Sequence, residues 1–128
     1  MRPVRSAMAR LTTSDSSVTL VLTRTERLVG FHGNITAPLT SITAVRAADD
    51  LWSEVRGMRA PGIGIPGVLV VGSLRGGFGR DFAAVHRPGS GVVLEFDGEP
   101  FRRWVVSLED CHGVVAELLT ASRRTIRP

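Results

Sequence analysis

Apolar residues along the chain fall in short alternating runs separated by turn-forming residues, which is typical of a β-rich domain. Val18, Leu20 and Leu22 share one face of a first predicted strand, and threonines lie between them. In a later run Val92, Leu94 and Phe96 form the apolar face of a half-buried antiparallel strand. The seven predicted strands cover residues 18–23, 35 to the interruption at Pro38, 41–47, 67–74, 80–86, 92–96 and 103–107.

The end of the chain changes from alternation to helical spacing. Residues 108–122 carry one apolar stripe, which consists of Cys111, Val114, Val115, Leu118 and Leu119. Ser107 and Asp110 have the spacing of a capping box at the start of that helix. Shorter helical turns are predicted over 25–32 and 51–56. The pattern predicts a mainly β protein, a seven-stranded antiparallel sandwich or partly open barrel capped by the C-terminal α-helix.

Charge is concentrated at the two ends of the chain. All sixteen basic residues are Arg, and six of them lie in residues 1–10 and 123–128. Residues 11–122 contain the ten remaining Arg and all twelve acids. This part of the chain is therefore weakly acidic and lacks the excess of basic residues that docking on duplex DNA needs. We expect a flexible basic arm at 1–16, a single domain at 17–122, a short basic tail at 123–128, and no specific nucleic acid partner.

Compartment is predicted from apolar runs and from cysteine usage. The apolar run at 68–71, which no other run exceeds, is far shorter than the ~18 residues of a membrane helix. Residues 11–17 are polar where a secretory signal would be apolar, and the single Cys111 excludes an intramolecular disulfide. These features predict a cytoplasmic protein, and membrane association stays open because of the basic ends.

A resemblance to a known family rests on several short segments. The most specific is Arg-Gly-Met-Arg-Ala-Pro-Gly at 56–62, which continues into the glycines and proline of 64–67. The further segments are Gly72, 75–77, 81–82 with Val85, 93–95, Phe101 and 105–107. Over about residues 20–119 the chain resembles bacterial pleckstrin-homology-like (PH-like) domains of the uncharacterised actinobacterial type. The resemblance implies two packed antiparallel sheets of seven strands with a C-terminal helix, and neither an enzyme nor an agreed ligand.

Glycines and acids that could suggest an enzyme have simpler interpretations. Residues 62–67 match the letters of a dinucleotide-binding motif, but Pro66 interrupts them and a strand follows where the motif needs a helix. The adjacent acids at 49–50 and 109–110 lie at the starts of predicted helices, where the helix dipole favours them. We therefore predict no enzyme activity and no cofactor.

A metal site is also not predicted. His32, His86 and His112 belong to different predicted elements, and no Cys-x-x-Cys or His-x-x-x-His spacing occurs. Cys111 and His112 are adjacent, but neighbouring residues of a helix point in different directions. Cys111 is interpreted as part of the apolar stripe.

One candidate binding segment contains Trp52, Arg56 and Arg59. A Trp beside two Arg and a Gly/Pro-rich loop has the composition of a recognition surface, because Trp and Arg dominate binding hot spots. The alternative interpretation is that Trp52 covers the edge of the core while Arg56 forms an ion pair.

A second candidate surrounds the glycines of 76–79. Arg75 and Arg80 flank this turn, and the backbone N–H groups of such a turn can form an anion-binding nest. The alternative interpretation is a hairpin loop with two solvated Arg side chains.

Three functions are compatible with these patterns. The first is a non-catalytic interaction or assembly module that binds an unknown protein or itself. The second is peripheral binding to anionic lipid, to which each Arg of the ends would contribute about 1 kcal/mol. The third, a small-molecule enzyme, predicts a deep apolar pocket lined by convergent polar groups with shifted pKa values.

Overall fold

The described part of the chain forms two β-sheets and a C-terminal helix. The structure is a computed structural model that describes residues 10–23, 34–55, 58–59, 69–77, 79–86, 90–108 and 111–126. Its strands are β1 (Arg10–Thr13), β2 (Ser17–Val21), β3 (Ile35–Pro38), β4 (Ile42–Ala48), β5 (Met58–Arg59), β6 (Leu69–Gly76), β7 (Gly79–His86), β8 (Gly91–Phe96) and β9 (Arg103–Ser107). Two 3-10 turns cover Leu39–Ser41 and Leu51–Glu54, and the helix covers Cys111–Ile126. The mainly β prediction with a C-terminal helix and short helical turns is confirmed.

Strand order corrects the prediction of seven antiparallel strands. The described residues contain nine strands, in one sheet of order β1-β2-β3 and one of order β4-β8-β9-β7-β6-β5, and the sheets do not close into a barrel. β7 and β9 pair in parallel, with Asp81 opposite Arg103 and Phe82 opposite Trp104. Alternation along a strand specifies which face is buried but not which strand lies beside it, so this pair has no local signal.

Part of the predicted N-terminal arm is an ordered strand. Arg10–Thr13, assigned to the flexible arm, form β1, and Leu11 lies opposite Leu20 on β2 and packs against the core. Residues 1–9 and the predicted helical turn at 25–32 lie outside the described residues. β1 cannot be recognised from the sequence, because Leu11 is its one apolar residue and a single residue shows no alternation.

The predicted capping box is replaced by a contact between strands. Ser107 is fully buried in β9, and its Oγ accepts a hydrogen bond from the backbone N–H of His86 at 2.9 Å. Asp110 lies outside the described residues. In the turn at 51–54, Asp50 makes no side-chain cap, and Ser53 Oγ instead donates to the Asp50 carbonyl at 2.7 Å.

The large sheet is buried on both faces. Its first face packs against the helix and the small sheet, and this cluster includes Val71, Phe82, Ala84, Val92, Leu94, Phe96, Trp104 and Val106. Its second face carries Leu74, Ala83, Val85, Val93 and Val105, covered by Leu51 of the 3-10 turn. Val93 was predicted on the more exposed face but is fully buried, because the 51–54 turn packs over it.

The C-terminal helix contacts the first face with most of its predicted stripe. Leu118 is buried, and Cys111, Val114 and Val115 are half-buried against the core. Leu119 is 39% exposed, because it lies at the margin of the stripe. In the described part of the chain, no helix has the length and apolar character that crossing a membrane requires.

Candidate functional site

An open cleft of about 300 Å³ lies where the end of the small sheet meets the large sheet. β3 contributes one wall, and β7, β9 and the turn between β8 and β9 contribute the rest. The residues that line it are Ile35, Thr36, Ala37, Arg80, Glu99, Pro100, Phe101 and Trp104. Most of these side chains are apolar, as is usual for a binding cleft.

Two aromatic side chains give the cleft a fixed apolar surface. Trp104 is 2% exposed and tilts against Phe96, with ring centroids 4.6 Å apart. Phe101 meets Phe82 edge to face at 5.4 Å. Aromatic pairs in these arrangements are favourable beyond the area they bury, so the surface is preorganised.

Charged groups stand at the edge of this apolar surface. Arg80 is exposed, and its guanidinium carbon lies 4.9 Å from the centroid of the Phe101 ring, within cation–π range. Glu99 is half-buried and accepts a hydrogen bond from Ser41 Oγ at 2.7 Å. The cleft therefore combines an aromatic surface, one solvent-facing cation and one carboxylate that already has a partner.

The five residues predicted to bind do not form one site. Trp52 is half-buried against the second core cluster, as its alternative interpretation predicted, and no described group accepts a hydrogen bond from its Nε1. Arg56 lies outside the described residues, and Arg59 lies in β5 opposite Leu74. Arg75 and Arg80 are brought together, directly opposite each other on β6 and β7. Of the five, Arg80 lines the cleft.

The aromatic and acidic residues of the cleft were missed by the sequence analysis. Phe101, Arg102, Arg103 and Trp104 have the same aromatic and Arg composition that singled out Trp52. That composition could have identified the segment as a second candidate. It could not have shown that Trp104 lines a cleft while Arg103 points to the opposite face of the sheet.

A network of charges lies on the second face of the large sheet, away from the cleft. Arg103 donates from Nε to Asp81 Oδ2 at 3.2 Å, from Nη1 to Glu54 Oε1 at 3.2 Å, and from Nη2 to the Glu54 carbonyl. Arg46 donates two hydrogen bonds to the Glu54 carboxylate, at 3.1 and 2.6 Å. These bonds attach the 51–54 turn to the sheet, so their role is structural.

The Arg46 network gives Glu54 a lowered pKa. The hydrogen bond from Arg46 is the main cause, partial burial opposes it, and Arg103 adds to the lowering. A carboxyl group with a lowered pKa in the folded state stabilises the fold above its ordinary pKa, here 4.5. That contribution is lost as the pH falls through the lower pKa of the folded state.

Stability should therefore depend on pH through Glu54. We expect Glu54→Gln to destabilise the protein at pH 7 and the difference from wild type to narrow by about 1 kcal/mol on acidification to pH 3. Urea unfolding at several pH values measures this. A difference that stays constant over this range would contradict the assigned pairing.

Chemistry elsewhere in the described residues is limited. No group of three or more His, Cys, Asp and Glu side chains within them is placed to hold a metal ion. The glycine-rich residues 60–68 lie outside the described part of the chain.

Comparisons of the chain with family models, with curated proteins and with solved structures find no match. The PH-like resemblance therefore stays a prediction.

Proposed function

We propose that the chain is a non-catalytic, PH-like interaction module that binds another protein at the cleft. The observation that carries the proposal is Arg80, exposed and stacked on Phe101 beside the Trp104 surface. Exposed Arg is among the residue types that supply most of the energy of protein interfaces, and here Arg80 lies over an apolar depression. A second copy of the chain is one such partner.

Binding is favoured over catalysis by where the ionisable groups lie. Among the described residues, the groups with clearly shifted pKa values are Arg46 and Glu54, and both belong to the network on the second face of the sheet. Among the described residues that line the cleft, Glu99 is the one carboxylate, and it already accepts from Ser41. General acid–base chemistry needs groups that converge on a substrate, so this arrangement supports recognition. We place the module in the cytoplasm, where the lone Cys111 stays reduced.

Affinity capture with a matched pair of charge reversals tests the proposal. Arg80→Glu reverses an exposed strand residue of the cleft, and Arg10→Glu makes the same change on exposed β1. We expect proteins retained from a cell extract by wild type and by Arg10→Glu to be reduced about tenfold by Arg80→Glu.

Retention that Arg80→Glu leaves unchanged, or no retained protein at all, would contradict the proposal. Sedimentation with anionic vesicles tests the lipid alternative, which rests on the basic ends of the chain. Salt-sensitive vesicle binding without any retained protein would favour that alternative.

A further inference from the structure

The cleft follows the edge of a strand. Ile35, Thr36 and Ala37 are consecutive in β3, and all three line it. Consecutive residues of a strand point to opposite faces of the sheet, so a cleft that touches all three runs along the strand rather than over one face. β3 is the last strand of the small sheet, and no described residue pairs with its outer edge.

The pairing register shows which backbone groups face that edge. The N–H of Leu39 donates to the Ser16 carbonyl at 2.9 Å, which marks these two residues as a hydrogen-bonded pair. Antiparallel pairs alternate between bonded and non-bonded, so Thr36 and Thr19 form a non-bonded pair. Their hydroxyl oxygens lie 2.9 Å apart, which agrees with the closer spacing of such pairs. The N–H and C=O of Thr36 therefore point away from β2, along the side where the cleft lies.

The free edge of β3 is short. Pro38 has no N–H and ends the row of donors, as prolines do on edge strands. An added strand could bond to the N–H and C=O of Thr36 and to few other groups. Backbone pairing alone would therefore give weak binding, and side chains beside β3 must supply the specificity.

Arg80 lines the cleft beside this edge, and Arg75 and Arg102 lie next to Arg80 in the large sheet. We call these three residues the arginine cluster. All three are exposed, and Arg75 and Arg80 lie directly opposite each other, an arrangement that is unfavourable for like charges. The Arg102 N–H donates to the Arg80 carbonyl at 2.6 Å. A Cβ added to Gly79 would lie 3.2 Å from Arg102 Cγ, so the Arg102 side chain lies close to Gly79. None of the described carboxylates forms an ion pair with the cluster.

We infer that the cleft takes an extended, acidic segment of a partner protein. The segment adds to β3 as a further strand and bonds to Thr36, and its carboxylates face the arginine cluster. Alternate apolar side chains of the segment lie toward Phe101 and Trp104. This β-strand addition combines backbone affinity with side-chain specificity. The inference rests on the proposed function and names the ligand of the same cleft.

Labelled peptides test the inference against the full chain. The parent peptide has nine residues that alternate Val and Glu, and its matched control replaces every Glu by Lys. Two further forms carry backbone N-methyl groups, one on every Val and the other on every Glu. Because a strand pairs through one edge, only one of these methylated forms should lose binding.

Fluorescence anisotropy at low salt measures the result. We expect the Glu peptide to bind, and the Lys peptide and one methylated form to bind at least about tenfold more weakly. Arg80→Glu should weaken the Glu peptide by a similar factor, while Arg10→Glu leaves it unchanged. Higher salt should weaken binding, because exposed charges are screened.

Absence of binding by the Glu peptide, equal binding by the Lys peptide, or undiminished binding of both methylated forms would overturn the inference. Anionic vesicles that bind through Arg80 while the Glu peptide does not would also overturn it. If Arg80→Glu still reduces protein capture in those cases, the proposal of an interaction module is retained and only the inference of strand addition to β3 is rejected.

Discussion

Replacing Arg103 by Met is expected to lower the free energy of unfolding by about 3 kcal/mol. Arg103 is 8% exposed and bonds both to fully buried Asp81 and to the 51–54 turn through Glu54. Met fills a similar volume but removes the guanidinium that bonds to the buried Asp81 carboxylate. Removing one partner of a buried ion pair is far more destabilising than removing both, because the remaining charge stays desolvated.

Urea unfolding of three variants separates this effect from general damage. Arg102→Met makes the same change at the exposed neighbouring residue and should change stability by less than about 0.5 kcal/mol. The double variant Asp81→Asn with Arg103→Met should recover at least about 1 kcal/mol of the loss. Equal effects of Arg102→Met and Arg103→Met would contradict the assigned network.

Gly91→Ala is expected to destabilise the protein by about 3 kcal/mol or to prevent folding. A Cβ on Gly91 would lie 2.1 Å from the Val106 carbonyl oxygen, 2.7 Å from Leu51 Cδ2 and 2.9 Å from Ser107 Cα. Two of these atoms belong to the backbone of β9, which is held between β8 and β7. A shift of β9 would disturb both pairings, so the clash cannot be relieved by rotating a side chain.

Gly77→Ala is the matched control for Gly91→Ala. A Cβ on Gly77 would meet no atom within 4 Å among the described residues. Thermal unfolding of the two variants should therefore show a large fall in Tm for Gly91→Ala and a change of a few degrees for Gly77→Ala. Similar Tm values for the two would show that β8 and β9 are less closely packed than described.

Local patterns were sufficient to find most of the strands. Alternation found β2 and β8, and helical spacing found the C-terminal helix with its start and end displaced by a few residues. Each of these patterns can be read from residues close together in the chain, because one face of the element is buried and the other is not. The alternation of Val92 and Leu94 therefore predicted the first face of the large sheet correctly.

Features that depend on distant parts of the chain could not be predicted in this way. Val93 is buried by the 51–54 turn, which precedes it by about forty residues. Asp81 and Arg103 are separated by 22 positions and meet because β7 and β9 pair in parallel. The cleft has the same origin, since β3, Arg80 and Phe101 come from three separate regions. The sequence analysis selected Arg80 because it flanks the glycine turn at 76–79. That argument identified a residue of the cleft but not its contact with Phe101.

Hydrogen exchange at the amide of Thr36 tests most directly whether the cleft is a binding edge. We expect fast exchange at Thr36 in the free protein, because its N–H faces away from β2, and slower exchange at Ile35 and Ala37. Addition of a captured partner protein or of the Glu peptide should slow hydrogen exchange at the Thr36 amide at least about tenfold. A Thr36 amide as protected as its neighbours in the free protein, or one that a bound partner leaves unchanged, would contradict the account.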